Sequence, residues 1–322
     1  MSYLDKIEDV YKEAALNPQK GLCCTTTPVW QLPDLNIPKK MLDMNYGCGS
    51  TVVPRDLSNN PSVLYVGIGG GMELLQFAYF TRKDGAVVGI DPVNGMISVC
   101  EENLMDAEKQ NNWFKKDFVK LYKGNALQLP MDDESIDVAA QNCLFNIFHE
   151  AELKQALKEM YRVLKTRGRL VLSDPVCESG IPENLKNDAY LRALCLSGAI
   201  PLKKYLELIT SIGFGTVEVR AKRPYRILDT EHYETEENIF IESVEICAIK
   251  DPMPEDGPCI FTGKSAIYFG PEEFYDDKKG HVLLFNQPLA VCDKTAKALA
   301  GLGRKDIFIS ESTYFYDGGG CC

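Results

Sequence analysis

Sulfur is the most abundant reactive group in this 322-residue sequence, which has 12 cysteines and 3 histidines. Thiolates are soft ligands that favour thiophilic centres over magnesium or calcium. The sequence has no C-x-x-C pair, so a zinc ribbon is not expected. Because the cytosol keeps thiols reduced, we expect free thiols that can bind or react rather than a framework of disulfides.

Three of these thiols lie in separate segments that one fold can bring to one cleft. Cys48 stands between two glycines in "NYGCGS", Cys143 follows a predicted strand in "QNCLFN", and Cys195 lies beside small residues in "LCLSGA". The glycines predict an exposed, mobile loop around Cys48. We expect Cys143 at the carboxyl end of the fourth strand, where open α/β sheets bind substrates, and Cys195 in a helix after the fifth. The alternative for each is a buried structural cysteine.

A glycine-rich turn predicts a nucleotide site. It follows the apolar run "SVLYV", precedes the helical pattern "MELLQFAYFTR", and contains Gly67, Gly69, Gly70 and Gly71. Small residues at such a place let a nucleotide approach the backbone. The dinucleotide motif G-x-G-x-x-G would need glycine where the sequence has Met72. Asp91 ends the second predicted strand, and a carboxylate there can accept both hydroxyls of a ribose.

Strand and helix patterns alternate from residue 61 onward, which predicts an α/β fold with a mostly parallel sheet of seven strands. Helices are predicted near 183–197 and 201–212. The proline-rich, acidic stretch "DPMPEDGP" indicates a linker. We predict an N-terminal helical cap segment with cysteine loops at 1–60, a Rossmann-like domain at 61–250, and a small C-terminal α+β domain at 251–322. The last ends in "YDGGGCC", a flexible arm with two thiols.

The glycine spacing G-x-G-x-G resembles the first motif of class I S-adenosylmethionine methyltransferases. Asp91, "GNALQLP" after the third strand and "YRVLKTRGRLVLSD" around the fifth strengthen the resemblance. It implies the class I methyltransferase fold and S-adenosyl-L-methionine as cofactor, with these binding residues: Gly67, Gly69, Gly71, Asp91, and Asn125 and Ala126 at the adenine. That family usually has an acid two residues before the first glycine, which helps to hold the methionine amino group. Tyr65 stands there, so we expect the methionine end to be held otherwise.

The cysteine segments resemble those of the arsenite methyltransferases. "NYGCGS", "NCLFN" and "LCLSGA" are similar to that family's three thiolate segments, and "GLCCTTT" to its upstream cysteine region. The chain looks most similar to the microbial branch at the arsenosugar biosynthesis step. The resemblance implies that Cys48, Cys143 and Cys195 bind arsenic(III). It further implies reducing or relay thiols at Cys23, Cys24, Cys321 and Cys322, and cofactor contacts from Tyr46 and Asn142.

The expected function is methyl transfer from S-adenosylmethionine to trivalent arsenic that reaches the enzyme as a thiol complex. A thiol reductant, thioredoxin or glutathione, is implied as co-substrate. Two alternatives stay open. One is a metalloid-sequestering protein on the same fold, which the replacement of the usual acid by Tyr65 favours. The other is a methyltransferase for another small acceptor, such as a thiol or a selenium species.

Composition limits the partners. A net charge of −11 and a pI near 4.9 argue against a nucleic-acid partner, because nucleic-acid binders concentrate Lys and Arg. With no signal-type N-terminus and no run of 18 apolar residues, we expect a cytoplasmic protein without a membrane segment. The oligomeric state stays open. Cys100, Cys177 and Cys247 are expected to be structural, and His149 to be a capping or surface residue rather than a catalyst.

Overall fold

The computed structural model describes residues 2–19, 22 and 32–314. Its main sheet has eight strands in the order β3-β2-β1-β4-β5-β7-β6-β8. These are β1 (Val63–Val66), β2 (Val87–Asp91), β3 (Val119–Lys123), β4 (Ile136–Asn142), β5 (Leu164–Val176), β6 (Thr216–Leu228), β7 (Ile239–Ile249) and β8 (Cys259–Phe261). All seven predicted strands are present, and β8 extends the sheet beyond them.

Strand directions identify the fold. Each neighbouring pair from β3 to β5 is parallel, β7 is antiparallel to both β5 and β6, and β8 is parallel to β6. Strands β1 and β2 are buried along their whole length, as expected for parallel strands covered on both faces. The predicted class I methyltransferase fold is therefore confirmed.

Helices cover both faces of this sheet. The helices of the described residues are α1 (Tyr3–Leu16), α2 (Lys39–Asp43), α3 (Met72–Thr81), α4 (Asn94–Gln110), α5 (Glu150–Val163), α6 (Glu183–Lys186), α7 (Ala189–Ala193), α8 (Leu202–Ile212), α9 (Thr230–Tyr233) and α10 (Asp293–Gly301), the last of which packs in the C-terminal core. Because side chains of a strand alternate between faces, Val63 and Tyr65 of β1 pack with residues of α3 and α4. Leu64 and Val66 pack with residues of α5 and α8 on the other face.

The helix predicted over 183–197 is wrong in its extent. The chain forms two short helices there, because the Asp188 side chain accepts hydrogen bonds from the backbone N–H groups of Tyr190 and Leu191 and so starts a new helix. Cys195 lies after α7, in a turn, with a left-handed φ of 59°. It was expected inside a helix, so that prediction is corrected.

The C-terminal part has its own small sheets and core. Strands β9 (Ser265–Tyr268), β12 (Pro288–Ala290) and β13 (Ile307–Ile309) form one sheet in the order β12-β9-β13, while β10 (Phe274–Asp276) pairs with β11 (Val282–Leu284). The strand that follows the predicted linker at 251–258 is β8, and it pairs with β6 of the main sheet. The predicted domain limits stay predictions. No helix in the described part of the chain has both the length and the apolar character needed to cross a bilayer.

A buried ionic cluster fastens the segment before β1 to two later strands. Asp56, in the 3₁₀ helix Pro54–Leu57, has a side chain only 1% exposed and pairs with Arg169 of β5 and Arg220 of β6. Arg169 Nη1 lies 2.6 Å from Asp56 Oδ1, and Arg220 Nη2 lies 3.0 Å from it. Burial by itself raises the pKa of Asp56, but the hydrogen bonds and charges of the two arginines outweigh burial and hold that pKa below its usual value.

We expect Asp56→Asn to lower the free energy of unfolding at pH 7 by about 3–5 kcal/mol, because two guanidinium groups lose their buried counter-charge. A carboxyl with a depressed pKa stabilises the fold above its unfolded value of about 3.9, and the contribution disappears as pH falls through the folded pKa. The deficit of the variant should therefore shrink in acid. Urea titrations at several pH values measure it. Asp106→Asn is the control, because it removes only a solvent-exposed pair with Lys109, and such pairs contribute little to stability. Equal losses of stability in the two variants would contradict the expectation.

Candidate functional site

A cavity opens at the carboxyl ends of β1, β2 and β4. Most of the predicted cofactor residues line it, together with one of the three predicted thiols: Tyr46, Gly67, Gly69, Asp91, Asn125, Ala126, Asn142 and Cys143. This is the edge at which parallel α/β sheets bind ligands. The glycines at 67 and 69 have left-handed φ values of 81° and 49°, a conformation that glycine adopts at little cost. The structure thus brings these residues together around one space.

Asp91 presents a buried carboxylate to this cavity. Its Oδ1 accepts the backbone N–H of Val93 at 2.9 Å and its Oδ2 that of Ile68 at 3.2 Å. Burial raises the pKa of Asp91 to about 6, and the charge of Glu8 adds to the rise. A carboxylate that accepts one backbone bond at each oxygen keeps lone pairs for two hydroxyl donors. Its chemistry fits the ribose of a nucleoside.

The N-terminal helix α1 forms one wall of the cavity, which the sequence interpretation missed. Leu4, Ile7, Glu8 and Tyr11 line the space, and the Tyr11 hydroxyl donates to the carbonyl of Ala193 at 3.0 Å. The helical spacing of the first 16 residues predicts this helix. Nothing in that spacing says which sheet edge the apolar face covers.

Gly71 lies outside the cavity lining. It precedes α3 with φ 88°, and a Cβ at this position would lie 2.7 Å from the sulfur of Cys100. Cys100 is completely buried on α4. The glycine therefore allows α3 and α4 to pack closely, and its predicted cofactor role stays a prediction.

The prediction that Cys48 is exposed is wrong. Its side chain is buried, and the sulfur lies 3.3 Å from Ser173 Oγ. The backbone is held as firmly: the N–H donates to Asn142 Oδ1 at 2.9 Å, and the carbonyl accepts the Ser243 hydroxyl at 2.7 Å. The loop lies against the ends of β4, β5 and β7.

The two glycines around Cys48 allow this close approach rather than mobility. A Cβ at Gly47 would fall on the side chain of Asn142. A Cβ at Gly49 would fall on Ser173 Oγ and lie 2.8 Å from Glu245 Oε1. Neither glycine has a left-handed φ. Close packing, rather than backbone freedom, therefore requires glycine on both sides of the thiol.

Cys143 and Cys195 meet directly. The Cys195 thiol donates to the carbonyl of Cys143 at 2.7 Å. Both residues have left-handed φ values, 61° and 59°, a conformation that costs roughly 1–2 kcal/mol for a residue with a Cβ. Cys143 is further held through its N–H, which donates to the Ser173 carbonyl at 2.7 Å. Two strained turns thus hold these two cysteines side by side.

Cys48, Cys143 and Cys195 belong to one buried apolar cluster. Burial and the charge of Asp174 raise the pKa of Tyr205, whose hydroxyl donates to Asp174 Oδ2 at 2.7 Å. Within the described ranges, no group of three or more His, Cys, Asp or Glu side chains is arranged to hold a metal ion. The three sulfurs share a region but do not form a preassembled ligand set. Cys23, Cys24, Cys321 and Cys322 lie outside the described residues.

A second, smaller cavity adjoins the glycine turn on the other side. It shares Tyr46, Gly67, Gly69 and Asn142 with the first cavity and adds Tyr65 and Glu73. Tyr65 donates its hydroxyl to Glu73 Oε2 at 2.6 Å. The sequence interpretation missed Glu73, although a lone acid in the otherwise apolar "MELLQFAYF" was a signal. His149 is the N-cap residue of α5, as predicted.

Comparison with known proteins identifies the central part of the chain. A family model described as a methyltransferase domain matches residues 57–232. An arsenite methyltransferase of Halobacterium salinarum is 29% identical over 180 residues, which cover 56% of this chain and 44% of that protein. An arsenite methyltransferase of Homo sapiens is 31% identical over 182 residues, which cover 56% of this chain and 47% of that protein. An arsenite methyltransferase of Aquipseudomonas alcaligenes is 27% identical over 232 residues, which cover 70% of this chain and 66% of that protein.

The chain therefore spans only about half to two thirds of the length of these relatives. A crystal structure of an arsenic(III) S-adenosylmethionine methyltransferase from Chlamydomonas reinhardtii matches with a TM-score of 0.61 and 20% identity. The match covers 91% of this chain and 99% of that one. At this identity the likeness shows a shared fold.

We expect Gly49→Ala to lower the free energy of unfolding by about 1–3 kcal/mol, because the added methyl group has no space beside Ser173 and Glu245. Gly301→Ala is the matched control, since a Cβ at Gly301 meets no atom within 4 Å and alanine favours the helix. Urea denaturation of the two variants measures the difference. A Gly49→Ala protein as stable as wild type would show that the Cys48 loop is not held against the sheet as described.

Proposed function

The chain belongs to the methyltransferase-domain family, and on that premise we propose that it transfers a methyl group from S-adenosylmethionine to trivalent arsenic bound by Cys48, Cys143 and Cys195. The observation that carries the proposal is the position of these thiols. They converge on the sheet edge that also holds Asp91 and the glycine turn. The relatives named arsenite methyltransferase support arsenic as the acceptor.

The residues of the cavity suit the proposed cofactor. Asp91 would accept the two ribose hydroxyls, and Asn125 and Ala126 would contact the adenine at the far wall. The turn at Gly67 and Gly69 allows the ligand to pass close to the backbone. S-adenosylmethionine, when bound, supplies an electrophilic methyl group on a sulfonium sulfur. The chain's own task is to orient this group towards the thiols and to exclude water.

The thiols have a positioning role in this proposal. Arsenic(III) that is bound by three thiolates keeps a lone pair, and that pair forms the new bond to carbon while the bond from sulfonium sulfur to methyl breaks. No proton has to be removed, so no general base is needed. Holding two reactants in the geometry of attack can lower a barrier by about 7–11 kcal/mol. The cavity wall from Cys143, which also touches Cys195, provides the surface for that alignment.

The arsenic centre is formally oxidised when its lone pair becomes a bond to carbon. Two electrons must return to it before the enzyme can begin again. We propose that two protein thiols supply them by forming a disulfide, and that an external thiol reductant, thioredoxin or glutathione, then reduces the disulfide. Cys23, Cys24, Cys321 and Cys322 are the candidates for this relay.

We expect each of Cys48→Ser, Cys143→Ser and Cys195→Ser to reduce arsenite methylation at least about 100-fold, because a hydroxyl is a poor arsenic ligand and misplacement of a reactant alone can cost that much. Purified protein is incubated with arsenite, S-adenosylmethionine and a thiol, and arsenic species are separated by chromatography with elemental detection. S-adenosylhomocysteine binding is measured in parallel and should persist. Cys177→Ser, at a buried cysteine of another core cluster, is the matched control and should stay active.

Activity retained in all three variants would contradict thiol binding of the acceptor. Unmodified arsenic that stays on the wild-type protein would instead identify a sequestering protein. Wild-type protein that neither binds nor methylates arsenic would mean another acceptor.

We also expect the affinity for S-adenosylhomocysteine to fall as pH is lowered from 7.5 to 5. Burial raises the pKa of Asp91 to about 6, and only the ionised carboxylate accepts both ribose hydroxyls. The ionised fraction then falls about tenfold over this range, and so should the affinity. Calorimetry at constant ionic strength measures it. Asp91→Asn should bind weakly at pH 7.5 with a flatter pH profile; an unchanged slope would show that Asp91 does not cause the pH dependence.

A further inference from the structure

Glu73 is a buried carboxylate without a positive partner in the described part of the chain. Its side chain is 5% exposed, and it takes part in none of the ion pairs there. Four donors hold it instead. Thr51 N–H donates to Oε1 at 2.9 Å, and Oε2 accepts Thr51 Oγ1 at 3.0 Å, Tyr65 hydroxyl at 2.6 Å and Asn142 Nδ2 at 3.2 Å. A carboxylate so buried is costly unless a counter-charge arrives.

The donors all favour the ionised form of Glu73. Burial raises the pKa of Glu73, while hydrogen bonds from Tyr65, Thr51 and Asn142 act against that rise. Burial and the neighbouring acid also raise the pKa of Tyr65, so the phenol remains a donor. Glu73 further lies in the first turn of α3, where the helix dipole favours negative charge. Burial outweighs these hydrogen bonds, so the pKa of Glu73 is raised overall, and a cation that binds beside the carboxylate would favour its ionised form.

The carboxylate lies beside the proposed cofactor site, in the smaller cavity that shares the glycine turn with it. Glu73 and Tyr65 line the smaller cavity together with Gly67, Gly69 and Gly70. The two cavities meet at the glycine turn, through Tyr46 and Asn142. A nucleoside whose ribose binds Asp91 would therefore place its 5′ substituent towards Glu73. The proposed cofactor carries an amino-acid end with an α-ammonium group at that position.

We infer that Glu73 supplies the negative charge that recognises the α-ammonium group of the cofactor, and that Tyr65 positions Glu73 for this role. This inference rests on the proposed cofactor. The resemblance to class I methyltransferases implies an acid for this role at the position that Tyr65 occupies. Here the acid stands on the following helix, and the tyrosine on the strand holds it in place. Oε1, which accepts one described hydrogen bond, has the capacity for an ammonium donor.

The same network connects the cofactor end to a proposed arsenic ligand. Asn142 Nδ2 donates to both Glu73 Oε2 and the carbonyl of Gly49, while Asn142 Oδ1 accepts the N–H of Cys48. One side chain thus joins Glu73 to the Cys48 loop. We expect a bound ammonium group to hold Glu73 ionised and so to strengthen the bond that Asn142 donates to it.

The test compares two ligands of full-length protein by calorimetry at pH 8: S-adenosylhomocysteine and its analogue that lacks the α-amino group. Wild type should bind the amino-bearing ligand at least about tenfold more tightly, which corresponds to about 1.4 kcal/mol. Glu73→Gln should reduce this preference to below about threefold, while the affinity for the deaminated analogue changes little. If Glu73 had only a structural role, Glu73→Gln would weaken the binding of both ligands alike. Glu159→Gln, at another buried, hydrogen-bonded carboxylate outside both cavities, should keep the wild-type preference.

A wild-type protein that binds both ligands equally would overturn the inference, as would a folded Glu73→Gln protein with an unchanged preference. Tyr65→Phe provides the second variant, for the case in which Glu73→Gln does not fold. It keeps the carboxylate but removes one donor to it, so the preference should fall between those expected for wild type and Glu73→Gln; a wild-type preference would overturn the positioning role. Failure of the wild type to bind either ligand would instead overturn the proposed cofactor, and this inference with it.

Discussion

The candidate site depends on one side-chain amide at the end of β4. Asn142 accepts the backbone N–H of Cys48 and donates to the carbonyl of Gly49 and to Glu73. An amide is the one neutral side chain that can accept from a loop and donate to both a carbonyl and a carboxylate at the same time. Because Gly47 packs directly on this amide, the loop can make these bonds only without a side chain at that position. Cys48, the cavity and Glu73 are therefore fixed relative to one another by the end of a single buried strand.

The neighbouring strands hold the end of β4 in a fixed position. β4 lies between β1 and β5, and its register with both is set by parallel pairing along most of its length. Its neighbour β5 contributes Ser173, which contacts Cys48 through its hydroxyl and Cys143 through its carbonyl. A rigid sheet thus supports a site made mostly of loops. Sites positioned by strand ends in this way are held more accurately than loops alone could hold them.

The sequence predicted the sheet well and the environment of the site less well. Alternating strands and helices, the glycine turn and Asp91 are local patterns, and they led to the correct fold and to predicted cofactor residues most of which line the cavity. The exposure of Cys48 was predicted wrongly because glycine serves both backbone freedom and close packing. Only the neighbours of Gly47 and Gly49, which are distant in sequence, distinguish these roles. Cys195 was assigned to a helix because that helix was predicted to continue to residue 197, whereas α7 ends at Ala193 and Cys195 lies in the turn beyond it.

Glu73 also shows that a local sequence pattern does not reveal which residues meet in the folded protein. The first strand lacks the expected acid, and in the sequence this was the main support for the alternative of a metalloid-sequestering protein. In three dimensions the acid comes from the next helix, one turn beyond the glycines, and reaches Tyr65. A motif fixes the order of residues along the chain, whereas a ligand responds to charge in space. The replacement by Tyr65 is therefore weaker evidence for a lost activity than it was in the sequence.

The apolar surroundings of the three thiols also bear on the acceptor. Cys48, Cys143 and Cys195 lie in a cluster of buried hydrophobic residues, where net charge is costly. Three thiolates around a divalent ion such as zinc would carry one net negative charge, whereas three thiolates around arsenic(III) carry none. A neutral complex can form in such a cluster without a counter-ion, once the thiol protons have left with the departing ligands of arsenic. The same burial that makes these cysteines look structural is thus compatible with a neutral trithiolate complex of arsenic.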